Sequence, residues 1–95
     1  MAIKAETSTS ITIEGAVLIR TVTNYFIGEV VATSDDWVAL SQASWVASLG
    51  RFSNALATGE LDEVEPYPAT QTVLVARGAI VDLTSWEHAL PTEVK

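Results

Sequence analysis

The chain contains no cysteine, so disulfides and thiolate metal sites are excluded and the fold must depend on packing. Its single histidine, His88, lies near Pro91 without the partners that a histidine metal cluster or an acid-base pair would need. A surface or capping role suits His88 better than catalysis. We therefore expect no enzyme activity, no catalytic residue, no metal and no cofactor.

Basic residues are scarce as well: 5 Lys and Arg stand against 12 Asp and Glu, for a formal net charge of −7. Broad binding to a phosphate backbone depends on clustered cations, so any contact with a nucleic acid has to be local. The acidic residues from Glu60 to Glu65 lack the central glycine and alternating ligands of a calcium loop. We interpret them as a solvated face.

Long apolar runs are absent too, because polar residues interrupt each run after a few positions. No segment is therefore predicted to cross a bilayer as a helix. The opening residues, MAIKAETSTSI, lack the apolar core of a secretory signal. These absences predict a soluble protein with a cytoplasmic location and no membrane contact.

Apolar content, in contrast, is high: 48% of the 95 residues are hydrophobic. The length suits one domain, which we assign to residues 10–95 after a flexible tail over 1–9. A domain of this size does not bury so much apolar surface comfortably by itself. The composition therefore predicts a homo-oligomer.

Alternating and β-branched residues predict a mostly β fold. Residues 11–22 predict two strand segments with a bend at Gly15, and residues 25–40 predict a hairpin that turns at 34–36. Gly28 lies in the middle of a strand, where a glycine admits a sharp bend or a close neighbour.

The pattern changes between about 41 and 71, and we interpret this stretch as an insertion. Within it, GRFSNALATG predicts a short helix that ends at Gly59, with Phe52, Ala55 and Leu56 on one face and with Phe52 and Leu56 packed on the strands. The two prolines around Tyr67 impose an extended path, so we interpret the acidic residues before them as a stiff loop.

The most informative stretch is VLVARGAIV, residues 73–81, which places an Arg-Gly pair between two short apolar runs. It predicts a strand, an abrupt turn at Gly78 that uses positive φ or a close backbone approach, and a second strand. The uniform apolarity predicts that both faces are covered. Arg77 either contacts a base or a phosphate, or it pairs with a carboxylate such as Asp82 or Glu29 and fixes the turn.

This stretch resembles the second signature segment of the Sm-like family, the small β-barrels that include bacterial Hfq-type proteins. The segment FIGEVVATSDDWVAL, residues 26–40, resembles the first signature segment, with Gly28, Asp35 and Leu40 at signature positions. The resemblance implies a small bent five-stranded antiparallel Sm-like barrel. The short helix would be inserted between strands 3 and 4.

By this resemblance, copies join edge to edge into a ring of roughly five to seven subunits that binds short single-stranded RNA at its pore. The implied RNA contacts are Arg77, Gly78 and Ala39, and Ala39 stands where RNA-binding members carry an asparagine. The implied oligomer interface consists of Val73, Leu74, Val75, Ile80 and Val81.

The chain also resembles small phage proteins, which implies a bacterial or phage-infected host cell. The acidic charge supports a second hypothesis, in which a structural or assembly protein keeps the ring and binds a protein partner without RNA. Its candidate partner contacts are Phe52, Glu63 and Tyr67, on the inserted helix and the acidic loop. The tryptophans, which include Trp45, are predicted to serve as packing anchors more than as base-stacking platforms.

Overall fold

A computed structural model describes residues 11–95 in full and residues 3–5 as backbone. The rest of the tail predicted over 1–9 lies outside the described residues. The described residues form an antiparallel β fold with one α-helix, so the mostly β prediction is confirmed. The strands are β1 (Ile3–Ala5), β2 (Ile11–Ile13), β3 (Gly15–Thr21), β4 (Tyr25–Thr33), β5 (Trp37–Ser48), β6 (Glu63–Pro66), β7 (Val73–Ala76) and β8 (Ile80–Ser85), and the helix is α1 (Phe52–Thr58).

The main sheet has six strands in the order β6-β5-β4-β3-β8, and β7 also pairs with β5. The first half of β5 pairs with β7 and its second half pairs with β6, so one long strand serves two neighbours. A short 3₁₀ turn, Arg77–Ala79, joins β7 to β8. The strands β1 and β2 form a separate two-stranded sheet.

A bulge bends β5 where it changes partner. Ile27 pairs with Ser44 and Glu29 pairs with Ser41, so Gln42 and Ala43 together face the single residue Gly28. Gln42 has a left-handed φ of 47°, as the first residue of such a bulge often does. A Cβ on Gly28 would lie 3.2 Å from the Ala43 Cα, which confirms the close neighbour predicted for this glycine.

Two buried clusters cover the two faces of this bent sheet. The first core lies inside the bend and consists of Val17, Ile19, Val38, Leu40, Ala43, Val73 and Val75. The second core lies on the opposite face and consists of Leu18, Ile27, Val46, Leu49, Ala55, Leu61, Val64 and Trp86. Alternation along β3 sends Val17 and Ile19 to the first core and Leu18 to the second, as strand geometry requires.

The helix α1 covers part of the second core. It ends at Gly59, whose φ of 79° is left-handed and whose N–H donates to the Ala55 carbonyl, so the predicted end is confirmed. The predicted packing is confirmed for Ala55, which is buried, and wrong for Phe52 and Leu56, which are 53% and 37% exposed. The small Ala55 lets the helix backbone approach the sheet closely.

The sheet of described residues is not a closed barrel, because β7 and β8 do not pair with each other. The prediction of a stiff acidic loop is wrong, because residues 63–66 form β6, which pairs with the second half of β5. Alternation explains the error, since Val64 is buried while Glu63 and Glu65 point to solvent.

The strands of VLVARGAIV differ from expectation in two respects. Both faces are not covered, because the Leu74 side chain is 57% exposed and that of Val81 is 54% exposed. Gly78 has neither positive φ nor a close neighbour, since a Cβ on it would meet no atom within 4 Å. A 3₁₀ turn uses ordinary negative φ values and therefore needs no glycine.

Candidate functional site

Arg77 connects the 3₁₀ turn between β7 and β8 to the hairpin turn between β4 and β5. Its backbone N–H donates to the Asp36 carbonyl at 2.9 Å, and its Nε donates to the Ser34 carbonyl. Ser34 also begins the hairpin turn between β4 and β5, where its Oγ accepts from the Trp37 N–H. Arg77 therefore fixes a turn, as one of its two interpretations held, but it does so through backbone carbonyls and not through Asp82 or Glu29.

The other two candidate RNA contacts, Gly78 and Ala39, differ from each other in exposure. Gly78 is exposed on the same 3₁₀ turn as Arg77. Ala39 pairs in register with Leu74 of β7, but its side chain is only 9% exposed. The turn thus brings Arg77 and Gly78 to the surface together, while Ala39 lies within the sheet.

The strands β7 and β8 each have one edge that no other strand of the described residues covers. The strand β7 pairs only with β5, and β8 pairs only with β3. Each of these edge strands carries one exposed large aliphatic side chain, Leu74 on β7 and Val81 on β8. A free edge with an exposed apolar side chain is a template for pairing with another strand.

The five predicted interface residues therefore divide into two groups. Leu74 and Val81 are exposed, and Ile80 is half-buried. Val73 and Val75 belong to the first core, with side chains 9% and 4% exposed. A groove beside β7 adds Val22, which is 87% exposed and which sequence reasoning missed.

An ion pair lies on the ladder between β3 and β8. Arg20 and Asp82 are partners in register, and the Arg20 Nε donates to the Asp82 carboxylate at 3.0 Å. This hydrogen bond and the neighbouring positive charge hold the pKa of Asp82 below its ordinary value. Both side chains are half exposed, so water and salt screen the pair.

The three predicted partner residues do not come together in one site. Phe52 lines a shallow groove between α1 and the β3–β8 ladder, beside Leu83 and Asp82. Tyr67 lines two other grooves, beyond the end of β6. Glu63 lines a third depression on the outer side of β6.

The grooves around β6 adjoin one another. The largest, with a volume of about 720 Å³, lies between the segment after β6 and the chain near its C-terminal residue, and its lining includes Gln42 and Tyr67. A second, of about 260 Å³, is lined by Trp45, Glu65, Pro66, Tyr67 and Pro68. A third, of about 170 Å³, shares Trp45 and Glu65 with the second and adds Glu63. We call this continuous depression the Trp45 groove.

His88 attaches the C-terminal segment to the helix. Its Nε2 lies 2.7 Å from the Leu56 carbonyl, in the last turn of α1, and its ring meets Trp86 edge to face at 5.1 Å. The capping role predicted for His88 agrees with this placement. Gly59 leaves room for it, because a Cβ there would lie 2.7 Å from the His88 Cβ.

Among the residues described, no helix is long and apolar enough to cross a membrane. Within the same residues, no three acidic or histidine side chains come together as a group that could hold a metal ion. Comparison of the chain with family models, with curated proteins and with solved structures found no match.

Proposed function

We propose that this protein is a structural or assembly module that joins copies of itself edge to edge, as in the rings of Sm-like proteins. The observation that carries the proposal is the pair of free edges on β7 and β8, each with an exposed aliphatic side chain. Pairing β7 of one copy with β8 of the next would satisfy both edges and cover Leu74 and Val81.

The topology gives this pairing a direction. The two edge strands differ, so the contact uses two different surfaces and repeats head to tail. A head-to-tail contact closes into a ring when the rotation between copies allows it. The order β8-β3-β4-β5-β7, with a 3₁₀ turn between β7 and β8, supports the Sm-like comparison because that family pairs the same two consecutive strands between subunits.

RNA binding at the turn is the second candidate function. One observation favours it. Arg77 is exposed, and of the nitrogens in its side chain only Nε forms a hydrogen bond within the described residues. Its terminal nitrogens could therefore donate to a phosphate or stack on a base. The net charge of −7 opposes such binding, so the assembly role is better supported.

Light-scattering chromatography of the wild-type chain and of Leu74→Lys and Val81→Lys tests the assembly role. We expect an oligomer for the wild type and monomers for both variants, because a lysine buried in the pairing weakens it by roughly a hundredfold or more. Val31→Lys is the matched control, since Val31 is 55% exposed on β4, which has a neighbour on each side. A monomeric wild type, or variants that keep its mass, would contradict the proposal.

A uridine-rich oligonucleotide in the same experiment separates the two functions. The assembly role predicts an oligomer that elutes without RNA at low and at moderate salt. RNA binding predicts co-elution that weakens with salt and is lost in Arg77→Ala.

A further inference from the structure

The side chains of Trp45 and Glu65 form a cross-strand pair at the centre of the Trp45 groove. The two residues are partners in register between β5 and β6, so their side chains project from the same face of the sheet. The Trp45 side chain is 37% exposed, and Glu65 is exposed as well. A partly exposed indole ring and an exposed carboxylate therefore project side by side from one face of the sheet.

Neither group is used within the part of the chain that the structure describes. The Glu65 carboxylate has no hydrogen bond or ion pair there, and the Trp45 ring has no aromatic partner at stacking distance. Two of the described cations are engaged elsewhere: Arg20 pairs with Asp82, and Arg77 binds the Ser34 carbonyl. Lys95 borders the third depression without forming an ion pair.

An aromatic face beside a carboxylate fits a guanidinium group. The planar cation stacks on the ring and donates two parallel hydrogen bonds to the carboxylate. Glu63 lines the same groove. It lies two residues before Glu65 on the same face of β6 and adds a second negative charge there. The groove is thus complementary to cations spaced along an extended chain.

The shape of the groove favours an extended chain over a compact small molecule. Its three depressions follow one another along β6 and share the residues at their borders. All three prolines of the sequence line it, Pro66, Pro68 and Pro91, and they form a stiff apolar wall that loses little entropy on binding. Gln42, in its left-handed conformation, borders the deepest part.

We propose that the Trp45 groove binds an extended segment of a protein partner that carries arginine next to proline or other apolar residues. The inference deepens the proposed assembly function, because it names the kind of partner that the assembled protein would recruit. It uses β6, which pairs with the second half of β5, whereas β7 pairs with the first half, and no residue of β7 or β8 lines the groove, so the two contacts use different surfaces.

Fluorescence anisotropy with a labelled peptide tests this proposal. The probe is a peptide of about eight residues that alternates proline and arginine, and the comparison peptide alternates proline and glutamate. We expect the arginine peptide to bind and the glutamate peptide not to bind. Glu65→Gln should weaken binding about tenfold, and Trp45→Ala should weaken it by a similar factor or more.

Matched variants separate the groove from general effects of charge and aromatic content. Glu60→Gln removes one exposed carboxylate outside the groove, and Phe52→Ala removes an exposed ring from a different groove. Both should bind the arginine peptide as the wild type does. If Trp45→Ala unfolds the protein, Glu65→Gln still decides the question, because the Glu65 side chain is exposed and makes no contact that the fold requires.

The proposal is overturned if the arginine peptide does not bind or if both peptides bind equally. It is also overturned if Glu60→Gln and Glu65→Gln weaken peptide binding equally, or if a uridine-rich RNA binds through Trp45 and the peptide does not. A Trp45→Ala variant that loses its oligomeric state but does not alter peptide binding would assign the groove to a second copy. The monomeric Leu74→Lys variant should still bind the peptide, so failure of assembly and failure of the groove are distinguishable.

Discussion

The two cores of this small protein are built in different ways. The buried residues of the first core all belong to the strands β3, β5 and β7, and Ile13 and Tyr67 pack against them from outside the main sheet. The second core needs elements from outside the sheet, namely Ala55 of α1, Leu49 and Leu61 of the connections, and Trp86 after β8. The buried part of the first core is therefore supplied by the strands themselves, while that of the second depends on segments that dock on the sheet.

This difference separates what local pattern determines from what docking determines. Strand alternation is enough to place Ile19 in the first core. Trp86 lies in a segment that is attached at two places: its own backbone N–H donates to the Ala16 carbonyl of β3 at 2.9 Å, and the neighbouring His88 contacts the helix. The comparison predicts one cooperative core and one core whose cover can be loosened.

The largest effect is expected from truncating a matched pair of isoleucines. Ile19 of the first core and Ile27 of the second are both fully buried, so each substitution to alanine should cost about 2–5 kcal/mol of unfolding free energy. Urea unfolding, followed by tryptophan fluorescence, measures both. If Ile27→Ala leaves the main transition unchanged and adds an earlier one, the two cores do not unfold together.

An intermediate effect is expected from Gly59→Ala, which acts on the cover of the second core. The added Cβ would meet the His88 side chain at 2.7 Å, and φ at this position is left-handed. Gly50→Ala is the matched control, because its φ of 71° imposes the same backbone strain while its Cβ would meet only Asp62, at 3.6 Å. Gly59→Ala should lose about 1–3 kcal/mol more than Gly50→Ala in thermal unfolding. Equal losses would mean that the contact with His88 does not hold the cover in place.

The smallest effect concerns the pH dependence of the Arg20–Asp82 pair, which lies outside both cores. The pKa of Asp82 is lower in the folded state than its ordinary value of 3.8, so the folded state binds fewer protons and stability rises with pH. The contribution is present above that ordinary value and is lost as the pH falls through the folded pKa. Asp82→Asn should therefore flatten the stability profile between about pH 5 and pH 2.

Asp35→Asn serves as the control for this profile, because Asp35 is exposed in the hairpin turn and forms no ion pair among the described residues. High salt should reduce the difference between wild type and Asp82→Asn, since the pair is screened by solvent. A profile of Asp82→Asn that matches the wild type at low salt would show that the pair does not contribute.

Much of the fold follows from the sequence because the signals are local. The hairpin turn at Ser34, the bend at Gly15 and the end of α1 at Gly59 each depend on a few neighbouring residues. The assignment of β6 required knowledge that β5 extends far enough to pair with it, which an acidic segment before a proline does not indicate. The Gly78 prediction failed because its neighbours already allow a 3₁₀ turn.

The candidate site was less accessible to sequence reasoning. Glu63 and Tyr67 were predicted as partner contacts, but the role of Trp45 was not, because its proximity to Glu65 exists only through the register of two strands that are distant in sequence. Leu74 and Val81 were predicted as interface residues with Val73 and Val75. A uniformly apolar run does not show which alternate residues face the core, and the structure separates the exposed members from the buried ones.

The bulge at Gln42 also determines how the protein would carry mechanical force. Residues 37–40 of β5 are bonded to β7, residues 44–48 are bonded to β6, and the three residues between them pair with neither strand. A pull on a partner held at β6 would therefore reach the β7 edge through the β5 backbone and through β4 alone. The stretch around Gln42 is the part of that path that neither the β7 ladder nor the β6 ladder supports.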